Sequence, residues 1–569
     1  MRRVVRFTSL LCAVLGLSLA GRLPPDASSL VVHAQPDPAV VGQWSALQSW
    51  PVVSVHAALM PNGRVTYYSY ADDIRSWDPS TGTMTAGPLA GFNLFCSGLT
   101  LLSDGRLFVA GGHISNNVGV KYASIYDSGG NVWARQPDMN AGRWYPTTTT
   151  LSDGSVLVVS GDTDTSVGVN KLPQVWTTNG TWRNLTGALR SMDLYPMMLL
   201  APNGKVFDAG PAVDARYLDT TGTGSWSDVV AYSSGGFRGY GTAVMYEPGK
   251  ILLVGGNDPP VASAEVIDLN QSAPYWSSGG SMAVARRQLN STVLPDGKVL
   301  ITGGSYAAGF NNASGAVYTA ERWDPATKVF TTLASATRYR GYHSIALLLP
   351  DGRVLSSGGD NESNAEVFSP PYLFQGSRPD VSSAPATIAY GQPFFVGTSA
   401  PSSISGVTLI RLSAVTHAFN MNQRFVRLTF SQASGGLNAT APAAAEIAPP
   451  GHYMLFLLNS AGVPSIARIV RLGTASPSPS VAAPTGLTAS PQGNQMVLAW
   501  TDASNNEDGF RIERASDGIN FAQIATVAQN VTTYTDASPG SSKFVYYRVR
   551  AYSGTLNSGY SNTVKVRNR

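Results

Sequence analysis

The chain of 569 residues has 43% hydrophobic and 13% charged side chains, so it can form several globular domains and is too apolar to be disordered throughout. Its formal net charge at neutral pH is only +4. A charge so close to zero excludes a protein that binds nucleic acid through a strongly basic surface.

The first predicted element is a secretory signal peptide over residues 1–34. Arginines near the N-terminus precede a largely apolar run over residues 7–20, which is too short to span a bilayer. Cleavage could follow Ala20 or Ala34, and we expect it after Ala34. Removal of this segment takes away four arginines and one aspartate, which lowers the net charge from +4 to +1. The sequence therefore predicts a secreted, extracellular protein without a membrane span.

A repeated strand pattern follows over residues 43–377. Each repeat has a turn glycine and then an apolar strand that usually ends in small residues, as in 105–112 and 297–304. The turn glycines lie 42 to 55 residues apart, at Gly63, Gly105, Gly154, Gly204, Gly249, Gly297 and Gly352. This spacing is typical of kelch-type repeats with four short strands each, so we expect an all-β chain with a seven-bladed kelch-type β-propeller.

Two β-sandwiches are expected after the repeats. Residues 378–473 alternate between apolar and polar side chains without the repeat, which predicts an Ig-like β-sandwich. Residues 474–484 form a linker rich in Pro and Ser. The alternating strands of residues 485–569 resemble a fibronectin type III module.

A ring of chemically distinctive residues emerges when each repeat is counted back nine positions from its turn glycine. Repeats related by rotation place equivalent residues at the same depth, directly before the innermost strand, so we expect these side chains to meet at one mouth of the propeller. The ring consists of Ser54, Cys96, Tyr145, Tyr195, Tyr240, Gln288 and His343.

Cysteine, tyrosine and histidine in one ring favour a metal site. Cys96 is the only cysteine outside the signal segment, so it is buried as an apolar residue, paired between chains or committed to other covalent chemistry. Copper accepts imidazole and phenolate, whereas a structural zinc site would need more cysteines than this chain has. A second imidazole is needed, and His417, in a sandwich loop that could reach the mouth, is the preferred candidate. The remaining histidines outside the signal segment are expected to be structural or exposed: His56, His113 and His452.

Over residues 43–473 the chain resembles the secreted copper radical oxidases, the group of galactose oxidase and glyoxal oxidase. The stretches that carry the resemblance lie at 95–98, 143–146, 340–344, 416–424 and 450–456. The resemblance implies a galactose oxidase-like C-terminal domain of the E-set type over 378–473. It also implies a copper ion bound by Tyr145, Tyr342, His343 and His417, and a protein-derived cofactor in which a thioether joins Cys96 to Tyr145.

The chemistry of these residue types agrees with an oxidase. By resemblance, Tyr145 carries a radical that abstracts hydrogen from the substrate carbon, and Tyr342 takes the proton of the substrate hydroxyl. Copper and the radical together hold two oxidising equivalents, so no dissociable organic cofactor is required. Dioxygen is then reduced to hydrogen peroxide.

The expected substrates are small aldehydes, as their hydrates, or primary alcohols. Position 163 is threonine where galactose oxidases place a stacking tryptophan, so Trp144 or another part of the fold must shield the radical. Arg190 matches the sugar-binding arginine of that group only across a gap. The residues expected to line the substrate pocket are Trp144, Arg190, Tyr195, Tyr240 and Gln288.

Three other functions remain open at the sequence level. The chain could be a galactose or carbohydrate oxidase, a non-catalytic kelch-propeller adhesin or carbohydrate-binding protein, or a family member that binds copper without turnover. Residues 485–569 show no catalytic pattern, so this module is expected to be a spacer or an attachment module that could contact a cell surface or polysaccharide.

Overall fold

The structure is a computed structural model that describes residues 36–473, 481–504, 507–553 and 556–568. The predicted signal peptide and most of the predicted linker lie outside these residues. The described chain is built of strands, with one short α-helix at Pro38–Val41 and three 3₁₀ turns at Ala313–Gly315, Pro371–Phe374 and Pro401–Ser403. This confirms the all-β prediction. No helix within the described ranges is long and apolar enough to cross a membrane.

Seven antiparallel sheets follow one another along the described chain, one for each predicted repeat. The first contains His56–Leu59, Val65–Tyr68, Asp73–Trp77 and Met84–Leu89, and the second Gly98–Leu101, Leu107–Ala110, Ala123–Asp127 and Val132–Gln136. The third contains Thr147–Thr150, Val156–Val159, Gln174–Trp176 and Trp182–Asn184, and the fourth Met198–Leu200, Val206–Asp208, Asp214–Asp219, Ser225–Trp226 and Ala231–Tyr232. The fifth contains Thr242–Glu247, Lys250–Val254, Ser263–Asp268 and Ser277–Ser281, and the sixth Arg287–Val293, Val299–Ser305, Thr319–Asp324 and Val329–Ser335.

The seventh sheet joins the two ends of the repeat region. Its strands Ser344–Leu348, Val354–Gly358 and Asn364–Ser369 pair in order. The strands Gln43–Trp44 and Gln48–Ser49, from the start of the described chain, pair antiparallel with Asn364–Ser369. Two short hairpins project from the second and third repeats: His113–Ser115 with Val118–Gly119, and Asp162–Asp164 with Gly168–Val169.

The turn glycines have a backbone requirement that explains the repeat. All seven adopt a positive φ, between 77° and 91°. In six of the repeats the preceding Asn or Asp accepts a hydrogen bond from the backbone N–H two positions on, as Asp104 does from Arg106 at 3.0 Å. Such side chains stabilise tight turns and glycine alone enters the left-handed region without cost, so the pair defines the hairpin between the first two strands.

The glycines that end the second strands make room for the next sheet. A Cβ on Gly111 would lie 2.4 Å from the carbonyl oxygen of Arg143, and one on Gly303 would lie 2.3 Å from that of Arg340. Both carbonyls belong to the segment that leads into the following sheet. Close approach of two backbones is therefore the reason for small residues at these positions.

A β-sandwich follows the repeats and sends a hairpin back to them. Its five-stranded sheet contains Thr387–Ile388, Arg468–Leu472, Gly451–Asn459, Ile404–Arg411 and Phe425–Leu428, and its three-stranded sheet Pro393–Gly397, Gly436–Thr440 and Phe430–Ala433. The hairpin strands Ala414–Thr416 and Phe419–Asn420 leave this sandwich, and Ala414–Thr416 pairs antiparallel with His56–Leu59. The first sheet therefore contains residues from both regions.

The C-terminal module is a second sandwich with a core of its own. One sheet contains Thr485–Gln492, Gln495–Thr501 and Thr533–Asp536, and the other Ala522–Ala528, Gly509–Ala515, Phe544–Ser553, Leu556–Asn557 and Val564–Arg567. Its buried cluster includes Trp500, Phe510 and Tyr547 and draws only on residues from 481 onward. The first sandwich has a separate cluster built from residues 381–472.

Buried arginines tie successive strands together in several repeats. Arg286 donates to the carbonyls of Gly303 and Thr319 at 3.1 Å each and to the Glu321 carboxylate at 2.5 Å, with both charged side chains buried. Arg238 with Glu265 and Arg340 with Glu366 repeat this arrangement. In the third repeat the corresponding partner of Arg143 is an uncharged amide, that of Gln174. The sequence analysis did not find this pattern, because the two partners are separated by more than one strand.

We expect Glu321→Ala to lower the free energy of unfolding by about 3–5 kcal/mol, because it leaves the Arg286 guanidinium buried without its counter-charge. Glu321→Gln should lower the free energy of unfolding by less, since in the third repeat the buried arginine already pairs with an amide. Chemical denaturation of both variants measures the difference. Equal stability of Glu321→Ala and the wild type would contradict this account of the buried pair.

Candidate active site

The ring residues share an unusual backbone conformation. Six of the seven have a positive φ: Cys96 64°, Tyr145 68°, Tyr195 47°, Tyr240 60°, Gln288 59° and His343 64°. Non-glycine residues rarely adopt this region, and each costs on the order of 1–3 kcal/mol unless its surroundings hold it there. The counted register therefore corresponds to a real structural equivalence.

Hydrogen bonds between neighbouring repeats hold this conformation. The N–H of Tyr145 donates to the carbonyl of Cys96 at 2.8 Å, and the N–H of Tyr195 donates to that of Tyr145 at 2.9 Å. The N–H of Cys96 donates to Nε2 of His56 at 3.1 Å, and this imidazole is completely buried and stacked on a tyrosine ring of the next strand. His56 is thus structural, as the sequence predicted, and it supports the backbone of Cys96.

Four side chains converge, two from the ring of seven residues and two from outside it: Tyr145, His343, Tyr342 and His417. The hydroxyls of Tyr145 and Tyr342 form a short hydrogen bond with each other. The ring of His417 lies 4.6 Å from those of both Tyr145 and His343, centroid to centroid, and the ring of Tyr342 lies 4.0 Å from that of His343. The structure therefore brings together the two phenols and the two imidazoles that the sequence analysis singled out.

The sandwich hairpin delivers His417 to this place. His417 and Ala418 are the two turn residues between the paired Thr416 and Phe419, and both have positive φ, 48° and 69°. This is the backbone of a two-residue turn that normally selects Asn or Gly. A histidine in such a turn is held there by its surroundings and presents its ring from the tip of the hairpin.

Each imidazole has one satisfied nitrogen and one buried nitrogen without a partner. Nδ1 of His343 lies 2.6 Å from the Asp360 carboxylate, and Nδ1 of His417 lies 2.6 Å from Oγ1 of Thr416. Nε2 of both rings is buried and has no hydrogen-bond partner among the described residues. Metal-binding imidazoles show this pattern, in which one nitrogen is oriented by a neighbour and the other is free to bind.

The electrostatics of the site favour a bound cation. Burial, followed by the nearby charges of His343 and His56, lowers the pKa of His417 well below its ordinary value, so this imidazole is neutral and can donate an electron pair. Burial raises the pKa of Tyr145, and so does the neighbouring Tyr342. Burial likewise raises the pKa of Tyr342. Without a cation both phenols stay protonated, so phenolate formation here requires a positive charge.

The donor set fits copper better than it fits zinc or calcium. Within the described ranges no group of three or more His, Cys, Asp or Glu side chains could hold a metal ion, so a zinc or calcium site of the usual composition is absent there. Two imidazoles and two phenols are instead suited to copper in a tetragonal arrangement.

Cys96 and Trp144 flank the Tyr145 ring. The Cys96 thiol is fully buried; burial raises its pKa, while hydrogen bonds with Tyr145 and Trp144 lower it. The indole of Trp144 stacks on the Tyr145 ring with 3.8 Å between centroids and 14° between planes, and it donates to Nδ1 of His113 at 3.0 Å. Trp144 therefore covers one face of the Tyr145 ring.

A cavity of about 680 Å³ opens above these residues. Its lining consists of Phe95, Asn116, Asn117, Trp144, Tyr145, Asp193, Leu194, Tyr195, Met197, Pro211, Phe237, Gly239, Tyr240, Gly241, Phe310, Tyr342, His343, His417 and Phe419. Trp144, Tyr195 and Tyr240 thus lie where the sequence analysis placed them.

Two predicted pocket residues lie elsewhere. Arg190 forms an ion pair with Asp214 at 2.9 Å and lines a separate cavity of about 330 Å³. Gln288 is buried within the strand Arg287–Val293 and does not line the main cavity. The ion pair with Asp214 holds Arg190 outside the main cavity, and the Gln288 side chain is buried, with no hydrogen-bond partner for its amide among the described residues.

Sequence reasoning missed several residues around the site. Asp360 could have been found, because the pairing of Ser344 with Gly358 brings the residues after Gly358 next to His343. Phe237 and Phe310 lie on connections between strands, for which the repeat offers no register. His113 was expected to be structural and proves to support the Trp144 indole.

Comparisons with known proteins agree with the geometry. The family model of the galactose oxidase-like Early set domain matches residues 378–472, and that of the glyoxal oxidase N-terminus matches residues 255–372. A galactose oxidase from Gibberella zeae is 32% identical over 499 residues, covering 77% of this chain and 72% of that protein. The aldehyde oxidase GLOX of Vitis pseudoreticulata is 31% identical over 66% of this chain and 82% of that protein. The solved structure of a fungal alcohol oxidase in complex with copper is 26% identical, covers 76% of this chain and 99% of that one, and gives a TM-score of 0.70.

Asp208 lies in the separate cavity beside Arg190, and its pKa makes the stability of the folded chain depend on pH. Burial raises its pKa from 3.8 to about 7 in the folded chain. Because the folded state holds this proton more tightly than the unfolded state, stability falls as the pH rises from about 4 to about 7. We expect Asp208→Asn to be more stable than the wild type at pH 8 and to lose this advantage at pH 4. Thermal unfolding at both pH values measures this, with the exposed Asp228→Asn as control, and a pH-independent difference would contradict it.

Asp360→Ala is expected to weaken Cu(II) binding by about 10- to 100-fold, because the His343 ring loses the acceptor that orients it. Asp360→Asn keeps an oxygen at this position and should lose less. Titration against a competing chelator measures the affinity, and Asp351→Ala at the other end of the same hairpin is the matched control. Unchanged affinity in Asp360→Ala would show that the contact does not serve metal binding.

Proposed function

The chain belongs to the family of galactose oxidases and glyoxal oxidases, and from that premise we propose that it is a copper radical oxidase. It oxidises primary alcohols, or small aldehydes as their hydrates, with dioxygen as the acceptor and hydrogen peroxide as the second product. The observation that carries this proposal is the convergence of Cys96, Tyr145, Tyr342, His343 and His417 below one cavity.

The copper ion would be held by Nε2 of His343, Nε2 of His417 and the phenol oxygens of Tyr145 and Tyr342. The two unpartnered nitrogens and the paired hydroxyls support this assignment. When bound, copper supplies one redox equivalent and a Lewis-acidic position for the substrate oxygen.

Tyr342 acts as the general base. As a phenolate beside a cation it would take the proton of the substrate hydroxyl at its Oη. Removal of this proton prepares the substrate carbon for loss of hydrogen. Both rings line the cavity, so a bound alcohol lies within their reach.

Tyr145 carries the second redox equivalent as a radical after a thioether has formed between its ring and the sulfur of Cys96. The thioether lowers the potential at which the phenol is oxidised, and the oxidised ring takes a hydrogen atom from the substrate carbon. Stacking by Trp144 at 3.8 Å keeps water from this ring. The indole N–H of Trp144 donates to Nδ1 of His113, which holds the indole in place.

The seven sheets are proposed to be the blades of a kelch-type propeller over residues 43–377. Pairing of Gln43–Trp44 with Asn364–Ser369 supports closure of such a ring. Residues 378–473 form the E-set sandwich, 474–484 the linker and 485–569 the fibronectin type III-like module. We further propose that residues 1–34 direct export, that the enzyme acts outside the cell and that the C-terminal module contacts a cell surface or polysaccharide.

A carbohydrate oxidase is the second candidate, because a galactose oxidase is among the relatives. The position of Arg190 in a separate cavity disfavours it, since no arginine among the described residues lines the cavity that would hold the sugar. A non-catalytic adhesin would leave two buried imidazole nitrogens unused at an energetic cost, so it is the weakest of the three proposals.

Copper loading in the presence of dioxygen is expected to remove two hydrogens from the intact mass, with a crosslinked peptide pair that joins Cys96 to Tyr145. Cys96→Ser should bind copper without this loss, because the serine hydroxyl cannot form the thioether. Intact-mass measurement and peptide mapping provide the readout. A mass that stays constant in copper-loaded wild-type protein would rule out the radical cofactor.

A further inference from the structure

The cavity is larger than the smallest family substrates need. At about 680 Å³ it falls in the range that holds drug-sized ligands, whereas a two- or three-carbon aldehyde would occupy only a small part of it. A substrate that gains binding energy from this space must extend away from the Tyr145 and Tyr342 hydroxyls.

The walls offer aromatic surface and few charges. Rings of Phe95, Trp144, Phe237, Tyr240, Phe310 and Phe419 line it. Asp193 is the only side chain in this lining, apart from the histidines, that can carry a charge at neutral pH. Such a wall suits neither a carboxylate, which needs a cation, nor a sugar, whose hydroxyls need many hydrogen-bond partners.

The arginine that lies over the ring of Tyr240, a residue of the cavity wall, is already engaged. Arg287 pairs with Asp258 at 2.6 Å, donates to the carbonyl of Gly309 at 3.2 Å and lies over the Tyr240 ring at 4.7 Å. Its charge is used to hold the wall in place, so it does not serve as an anion-binding group for the substrate.

Two phenylalanines of the cavity wall have a large part of their side-chain surface exposed, so this apolar surface is available for contact with a ligand. Phe310 is 58% exposed and Phe237 is 46% exposed. Phe310 makes edge contacts with Tyr342 at 4.6 Å and with Tyr240 at 5.8 Å, which leaves the rest of its ring open to the cavity. Aromatic rings prefer such edge or offset contacts, so a further ring would complete this cluster.

The segment that carries Phe310 is held rigidly. Oδ1 of Asn311 accepts hydrogen bonds from the Tyr342 N–H and the Tyr339 hydroxyl, at 3.1 Å each, and its Nδ2 donates to Asp360 at 2.8 Å. The N–H of Gly309 donates to Asp258 at 3.0 Å. The exposed ring is therefore preorganised, and binding against it requires little ordering of the protein.

We propose that this cavity selects aryl-substituted primary alcohols and aldehydes, with the aryl ring against Phe310, Phe237 and Tyr240 and the functional group at Tyr342. This inference rests on the proposed function and narrows its substrate class. In the reaction ArCH₂OH loses two electrons and two protons to become ArCHO, and dioxygen takes up both to become hydrogen peroxide.

The test compares benzyl alcohol with methylglyoxal, which lacks a ring. We expect Phe310→Ala to lower the ratio of kcat/KM for benzyl alcohol to that for methylglyoxal by at least about tenfold, mainly through KM, because the aromatic contact surface is lost. Phe237→Ala should shift the ratio in the same direction. Tyr275→Ala, at an exposed tyrosine that does not line the cavity, is the matched control and should leave the ratio as in the wild type.

A binding measurement on the full chain without added metal gives a second readout. Toluene has the ring but no hydroxyl, and we expect saturation-transfer NMR to detect its binding to the wild type and a loss of signal in Phe310→Ala. Failure of this inference differs from failure of the proposed function. Peroxide release with an unchanged ratio in both phenylalanine variants overturns the aryl preference alone, whereas absence of the thioether and of peroxide with either substrate overturns the oxidase itself.

Discussion

The left-handed backbone at the ring positions is the constraint on which the site depends. Cys96, Tyr145 and His343 can point toward one another only because the chain turns sharply directly before each inner strand. Each such residue costs on the order of 1–3 kcal/mol, so the surrounding structure must hold it. Backbone hydrogen bonds between neighbouring repeats, together with the glycines that let those repeats approach, provide that support.

The deep part of the site and its outer wall are built by different means. The proposed metal-binding end is fixed by backbone hydrogen bonds, buried imidazoles and the Asp360 carboxylate. The outer wall consists of rings carried on connecting segments, with Phe237 and Phe310 partly open to solvent. Exchange of a wall residue therefore changes what is bound without disturbing the groups that perform the oxidation, in keeping with the variability of loops on rigid scaffolds.

The sequence predicted the all-β architecture and the ring because both depend on local rules. Turn glycines after Asn or Asp mark the hairpins, and a fixed distance from each glycine identifies residues at one level. His417 could not be reached by counting, since it comes from a sandwich hairpin outside the repeat; the need for a second imidazole and the family resemblance singled it out. Gln288 shows the limit of counting: register gives the position of a backbone, but it does not decide whether a buried side chain reaches the cavity. Arg190, which was matched only across a gap, pairs with Asp214 outside that cavity.

The hairpin that carries His417 has a consequence for synthesis of the protein. Oγ1 of Thr416 donates to the carbonyl of Val55, across 361 positions of sequence. The ribosome must therefore complete nearly all of the first two regions before the second imidazole can meet the first. A nascent chain has no assembled place for the proposed copper ion, so capture of that ion would be postponed until translation of both regions is finished.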